Sequence, residues 1–314
     1  MSVSVSVVVP VFNGARSIPE LAARLTRTLS DEQRVAEFEV ILVDDCSRDE
    51  SWSVIQELSG EYPSVRGLGM SRNYGQHNAL LAGIRVAEND LIITIDDDLE
   101  HPPEAIPQML DALADDIDLV YATPEIENHS ASRNIASRLV KRSMSIALGP
   151  DIAHRASAYR LFRTSLRDGF STCSDPFLAL DVLLSWTTTR VAFVEVEMGQ
   201  RRYGTSNYTF RSLVRHALNM ATGYSTLPLR LVTWIGFGAA IVGLLALVYV
   251  LVNAVVRGRQ VAGFAFLASS VAIFGGAQLL ALGLIGEYLG RMHFRSMDRP
   301  VYTVARTTDG TAAH

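Results

Sequence analysis

Three consecutive aspartates, Asp96-Asp97-Asp98, with Leu99-Glu100 behind them, follow the uncharged run Leu91–Ile95 and precede His101-Pro102-Pro103-Glu104. With Leu91–Ile95 as a strand, carboxylates two residues apart at its end point to the same side. Asp96 and Asp98 can then share a hard divalent cation through oxygen ligands while Asp97 points elsewhere. A cation held in this way bridges a diphosphate and neutralises the charge that grows on a departing nucleotide. A bare aspartate triplet is as often a solvated acidic turn; the strand before it and the prolines after it favour the ligand reading. A second pair, Asp44-Asp45, closes the run Glu39–Val43. There its oxygens can accept hydrogen bonds from a ribose or base, or cap a turn.

These residues need a scaffold that brings strand ends together. Apolar, β-rich runs recur at Val5–Val9, Glu39–Val43, Leu91–Ile95 and Leu119–Tyr121, with helical stretches between them. That order implies an α/β domain of parallel strands joined by crossover helices. Ser17-Ile18-Pro19-Glu20 reads as a capping box for a helix running toward Leu29, and Asp49 as the cap of the next. In such sheets a ligand sits at the carboxyl ends of the strands, where Asn13, Asp44, Asp45 and Asp96 to Asp98 converge on one rim. No GxGxxG or GxxxxGK[ST] loop follows the first strand, which argues against a dinucleotide-binding domain and a P-loop NTPase.

The 314 residues carry a net charge of −5, very unevenly spread. Up to Met198 there are 17 basic and 30 acidic residues, net −13; from Gly199 onward there are 11 and 3, net +8. The acidic front part excludes a nucleic-acid binder, because phosphate backbones need clustered cations. Its alternating apolar and polar segments exclude disorder. Two cysteines, Cys46 and Cys173, match no metal-ligand spacing and no disulfide framework. In the basic part, 26 residues between Arg230 and Arg257 and 27 between Arg259 and Glu287 carry no charge. Each run suffices for a membrane-crossing helix, at about 1.5 Å per residue against a hydrocarbon core of ~30 Å. The short link Arg257-Gly258-Arg259-Gln260 makes the two an antiparallel hairpin, with spans near 231–256 and 261–286 inside a 230–290 segment. Arginines 211, 215, 230, 291, 295, 299 and 306 flank it outside, so both ends of the chain are expected at the cytoplasmic face of the inner membrane. Phe210 to Tyr224 has helical apolar spacing suited to a segment (210–229) lying in the bilayer interface or on the surface of the front domain. The start, MSVSVSVVVPVF, has no basic region before its apolar run and reads as a strand, not a signal peptide.

Six stretches in order resemble one family. They are Val9-Pro10-Val11-Phe12-Asn13, Val43 to Asp49, Ser71-Arg72-Asn73-Tyr74-Gly75-Gln76-His77, Asp96 to Glu104, Gly204-Thr205-Ser206-Asn207-Tyr208 and Gly286-Glu287-Tyr288-Leu289-Gly290-Arg291. They resemble family 2 glycosyltransferases of the GT-A fold. More narrowly they resemble the polyprenyl-phosphate glycosyltransferases, the group containing dolichol-phosphate mannose synthase and the undecaprenyl-phosphate aminoarabinose transferase. The resemblance implies a catalytic domain over 1–209, the juxtamembrane segment, the hairpin, and a cytoplasmic tail over 291–314. It implies inverting transfer of a sugar from a nucleotide-sugar to a membrane polyprenyl phosphate, undecaprenyl phosphate for a bacterial source, with Mg2+ or Mn2+ and in a homo-oligomer. Carried over by position, Pro10, Asn13, Asp44, Asp45, Asp96, Asp97, Arg201 and Ser206 surround the nucleotide. Asp96, Asp98 and Glu100 meet the metal, and Arg133 and Arg138 reach donor or acceptor phosphates, whereas Arg142 reads as surface solvation.

Three positions depart from the pattern. Gly14 stands where the family commonly has Glu, and Asn207 where it has Lys. His154 stands where an Asp, six residues before Arg160, is sometimes proposed as a base, with Asp151 as a substitute. The loss of that Asp is softened by chemistry. A phosphate monoester has its second pKa near ~6, so the acceptor oxygen is already largely anionic at neutral pH and needs positioning more than deprotonation. Two other readings stay open: a processive polysaccharide synthase, disfavoured because two spans offer no channel, and a non-catalytic membrane partner that binds nucleotide-sugar or lipid. The small residues Gly275 and Gly276 would permit close helix contact.

Overall fold

The computed structural model describes residues 2–124, 155–173, 179–199, 227–257, 263–297 and 300–310. Strands β1 (Val3–Val11), β2 (Val35–Asp44), β3 (Val65–Met70) and β4 (Leu91–Thr94) form a parallel block in the order β4-β1-β2-β3. Helices α1 (Ile18–Asp31), α2 (Ser51–Glu61) and α3 (Gln76–Val86) make the crossovers. The chain continues through α4 (Ile106–Ala112), β5 (Leu119–Pro124), β6 (Arg160–Arg163), α5 (Leu180–Thr187) and β7 (Val191–Val196). β6 lies antiparallel between β4 and β5, and β7 runs parallel beside β5. Two long helices follow, α6 (Leu227–Arg257) and α7 (Phe264–Ser296), and then β8 (Val304–Thr307), antiparallel on β3.

Both faces of the sheet are covered, so its central strands are apolar on both sides. Alternation along β1 sends Val5, Val7, Val9 and Val11 into a core shared with α1, α2 and α4, and Val8 into one shared with α3 and α5. Pro10 sits in this central strand at no cost to the ladder. Val8 O faces β4, where it accepts Ile95 N at 3.2 Å, so the amide that Pro10 lacks would point to the same side. The β1–β4 pairing ends at Val8↔Thr94, so Pro10 lies beyond its last paired residue.

The four expected strands are all present. Four strands were not expected: β3 reads VRGLGM and β6 and β8 have four residues each, all weak patterns, whereas β7, VAFVEV, has a readable one. Ser17 is not a side-chain cap as expected. Its backbone is already helical (φ −94°, ψ −35°), its hydroxyl donates to Gly14 O at 3.1 Å, and Glu20 turns to Arg24 at 3.7 Å. The N-cap of the next helix is Glu50, without a side-chain cap bond, and not Asp49 as expected; the Asp49 carboxylate accepts Ser51 N at 3.1 Å from one position earlier.

The chain divides into two compact units, Met1–Leu213 with Arg299–His314, and Val214–Asp298. Of the stretch 291–314, expected as a cytoplasmic tail, the residues up to Ser296 belong to α7 and Val304–Thr307 form a strand of the first unit's sheet. In the second unit, α6 and α7 have 31 and 33 residues and lie one on each uncharged run. Among the described residues, no helix is long and apolar enough to cross a membrane. The close contact between α6 and α7 is made at Gly243, where a Cβ would stand 3.2 Å from the Phe274 ring; Gly275 and Gly276 face nothing within 4 Å. Of the expected interfacial helix, residues 210–226 lie outside the described residues.

Candidate functional site

β1, β2 and β4 end side by side, and each is followed by a non-glycine residue in the left-handed region: Asn13 (φ 56°), Cys46 (φ 58°) and Leu99 (φ 63°). Such conformations are held only where surrounding bonds over-determine them. Asn13 is pinned from two sides, its amide donating to Ser47 Oγ at 2.9 Å and its Oδ1 accepting Arg48 N at 2.8 Å. The loops after β1 and β2 are thereby tied into one rim.

The aspartate triplet stands on this rim, but not as a strand end. β4 stops at Thr94 and residues 97 and 98 form a turn, so strand alternation does not place Asp96 and Asp98; the turn does. Asp98 Oδ1 accepts Glu100 N at 3.1 Å, and Asp96 Oδ1 accepts Gln76 Nε2 at 2.6 Å. Among the described residues no three His, Cys, Asp or Glu side chains gather into a metal-holding group, so Asp96, Asp98 and Glu100 do not form a ready three-carboxylate cage. The oxygen donors still suit a hard cation such as Mg2+, which is commonly held by one or two carboxylates and completed by substrate phosphate and water.

Asp97 turns inward. Burial, with Asp96 alongside, pushes its carboxyl up to about 7, against the opposing hydrogen bond from the Phe12 amide. Its Oδ2 is buried without a hydrogen-bond partner, and it occupies the space that a side chain at position 14 would enter: a Cβ on Gly14 would stand 2.3 Å from it. The absence of a side chain at Gly14 and the inward Asp97 are thus one arrangement. Gly14→Ala is expected to cost roughly 1–3 kcal/mol through overpacking. Asp97→Ala in the same chain should recover most of that loss. Thermal unfolding of the two single variants and the double variant checks this, and strict additivity would refute the coupling.

Asp44 and Asp45 are both buried, at 0% and 3% exposure. Asp45 is a loop clamp: its oxygens accept Tyr74 N at 2.7 Å and Gly75 N at 2.8 Å, fixing the segment that delivers Gln76 to Asp96. Burial raises its pKa, and those two amides oppose the rise. Asp44 Oδ1 accepts Ser47 N at 3.0 Å, and its Oδ2 accepts Arg306 Nη2 at 3.2 Å. The sequence assigns Gln76 no role and Arg306 only that of an arginine flanking the hairpin. Gln76 lay within a recognised motif, whereas nothing local to Arg306 pointed to the rim.

Arg133, Arg138, Arg142, Asp151, His154, Arg201, Ser206 and Asn207 lie outside the described residues. Gly199, two residues before Arg201 in the sequence, donates its amide to Glu100 O at 2.8 Å. Arg160, the arginine six positions after His154, is only 3% exposed and is paired in the core with Asp181.

Residues 6–170 match the family described as glycosyl transferase family 2. The chain is a family 2 glycosyl transferase. This glycosyl transferase is 33% identical over 305 residues to the undecaprenyl-phosphate 4-deoxy-4-formamido-L-arabinose transferase of Proteus mirabilis (strain HI4320), covering 96% of this chain and 93% of the relative. It is 34% identical over 310 residues to the enzyme of the same name from Pseudomonas aeruginosa (strain LESB58), covering 98% and 91%. The transferase shares its fold with glucosyl-3-phosphoglycerate synthase from Mycobacterium tuberculosis, solved with Mn2+, UDP-glucose and phosphoglyceric acid. The TM-score is 0.50 at 17% identity, over 71% of this chain and 79% of that one.

Proposed function

We propose that this family 2 glycosyl transferase moves a sugar from a nucleotide-sugar onto undecaprenyl phosphate, with inversion, at the cytoplasmic face of a membrane. One observation carries the reading: the likeness to undecaprenyl-phosphate sugar transferases continues far past residue 170, over 96–98% of the chain. It therefore takes in α6 and α7 as well as the sheet domain. In this reading the two helices cross the bilayer as a hairpin. Their uncharged runs of 26 and 27 residues support this, as do the exposed apolar side chains on both, among them Trp234, Leu244, Val255, Leu279 and Leu282.

A divalent cation, Mn2+ or Mg2+, would be held by Asp96 and Asp98 and would offset the charge developing on the leaving nucleoside diphosphate. The chain's own residues do the rest. Gln76 fixes the orientation of Asp96, the Glu100 amide fixes Asp98, and the Asp45 clamp holds the loop that carries Gln76. Asp44, fully buried at the end of β2, supports the rim beneath the nucleoside through Ser47. The acceptor phosphate attacks the anomeric carbon as an anion, so the site must orient it and offset its repulsion by the donor, a task that falls to Arg133, Arg138 and Arg201.

The test is incubation of the full chain in membranes or detergent with labelled nucleotide-sugars and undecaprenyl phosphate, with and without Mn2+. A single-sugar, phosphate-linked lipid that forms only with the divalent cation is expected; a formamido-arabinose donor is the first to try. Long polymer, or saturable nucleotide binding without turnover on any donor, would refute the reading.

A further inference from the structure

The segment after α7 is built into the first unit's sheet. Val301 is buried, and Tyr302 packs in the second core under the Arg85 guanidinium, 5.4 Å from the ring centre. Ser71 N donates to Thr303 O at 2.9 Å; farther along, Gly67 N donates to Thr308 Oγ1 at 2.9 Å and Thr308 N to Gly67 O at 3.1 Å. β8 is thus clipped to β3 at both ends, in a register that sets Arg306 opposite Gly69.

That register has a chemical result. A Cβ on Gly69 would lie 2.5 Å from Arg306 Cγ and 2.7 Å from its Nε, so the arginine passes over bare backbone there. Beyond β3 it meets β2: Nη2 donates to Asp44 Oδ2 at 3.2 Å, and the guanidinium lies over the Trp52 ring at 4.2 Å. The Asp44 side chain is fully buried, and the Arg306 side chain is 48% exposed. The carboxylate is therefore held by a backbone amide on one oxygen and by a cation on the other. A buried carboxylate needs such partners to keep its charge and its orientation.

We propose that Arg306, on a strand contributed from beyond the two long helices, is a positioning residue for the nucleoside half of the donor site. Through the buried Asp44, which accepts Ser47 N, it steadies the turn that holds Asn13 on the rim where the nucleoside would lie. The inference rests on the reading that places the nucleoside at this rim. Stacking on Trp52 fixes the guanidinium plane, which an ammonium group cannot reproduce, so lysine is only a partial substitute.

The experiment uses the full chain. Binding of UDP, GDP and TDP is measured by calorimetry, and kcat and KM are measured with the donor that turns over, for the wild type, Arg306→Ala, Arg306→Lys, Asp44→Asn and Thr308→Ala. Arg306→Ala is expected to weaken nucleotide binding and raise donor KM by about tenfold, as for loss of a charged hydrogen bond. kcat and the KM for undecaprenyl phosphate should stay within twofold, and Arg306→Lys should recover part of the loss. Thr308→Ala loosens the same strand without touching Asp44 and should leave donor KM unchanged. Unchanged nucleotide affinity in Arg306→Ala, or an equal loss in Thr308→Ala, overturns the inference while Asp44→Asn still shows the nucleoside site to be real. A wild type that binds no nucleotide, or an Asp44→Asn variant that binds normally, overturns the site reading and this inference together.

Discussion

Asp98→Ala is expected to lower sugar transfer by roughly a hundred- to a thousandfold, the range found when one preorganised group facing transition-state charge is removed. Asp98 has two tasks on the rim. Its Oδ1 accepts Glu100 N at 3.1 Å and so closes the turn in which Leu99 is left-handed, and in the proposed reaction its carboxylate would meet a hard cation. Asp98→Asn separates these tasks, because the amide oxygen can still accept from Glu100 while the negative charge is gone. Loss in both variants assigns the effect to the charge; recovery in Asn would assign it to the turn. Asp98 is only partly buried, so the thermal midpoint of either variant should move little. A titration of activity against Mn2+ is the direct readout, and full activity in Asp98→Ala would rule out the role given to this carboxylate.

The largest effect on stability is expected at Asp181, buried in the core on α5. Arg160 on β6 donates to it through Nε at 2.7 Å and Nη2 at 2.9 Å, and Tyr121 OH donates to the same carboxylate at 3.0 Å. Arg160 Nη1 also donates to Thr94 Oγ1 at 3.2 Å, so one buried ion pair ties α5 to three neighbouring strands. Burial works to raise the pKa of Asp181, and the charge and hydrogen bonds of Arg160 outweigh it, leaving the carboxyl below its ordinary value. Asp181→Ala leaves the guanidinium buried and uncompensated, at a cost of about 3–5 kcal/mol. For a unit of this size that lowers the thermal midpoint by roughly 10 °C. The pH dependence has a definite sign. A carboxyl whose folded pKa is depressed stabilises fully above its unfolded value and loses that contribution as pH falls toward the folded one. The gap between wild type and variant should therefore hold from pH 8 to about 5 and close only below ~4. A gap that does not change in acid would show that the loss is one of packing alone.

Much of the site was legible because its parts are contiguous in the chain. Apolar runs ending in Asn13, Asp44-Asp45 and Asp96 to Asp98 announce strands and their carboxyl ends together, and those ends do meet. What was not legible depends on pairings across the fold. The inward turn of Asp97 needs the empty space at Gly14, 83 positions away in sequence. Asp45 looked like a free acceptor because the amides it holds, Tyr74 and Gly75, belong to another loop. β6 and β8 are four residues each, too short to show a period, and β8 is separated from the sheet it joins by both long helices. Arg160 belonged to a recognised stretch, but only the fold reveals that its partner is Asp181 and that its work is internal.

The return of β8 onto β3 also decides how the first unit can be made without the long helices. Ending the chain at Leu213 would strip β3 of its outer neighbour and leave Gly67, Leu68, Gly69 and Met70 as an open edge, ready to recruit another copy. Joining Leu213 to Arg299 through a flexible spacer keeps that edge covered and keeps Arg306 on Asp44. The spliced form should stay monodisperse where the simple truncation precipitates.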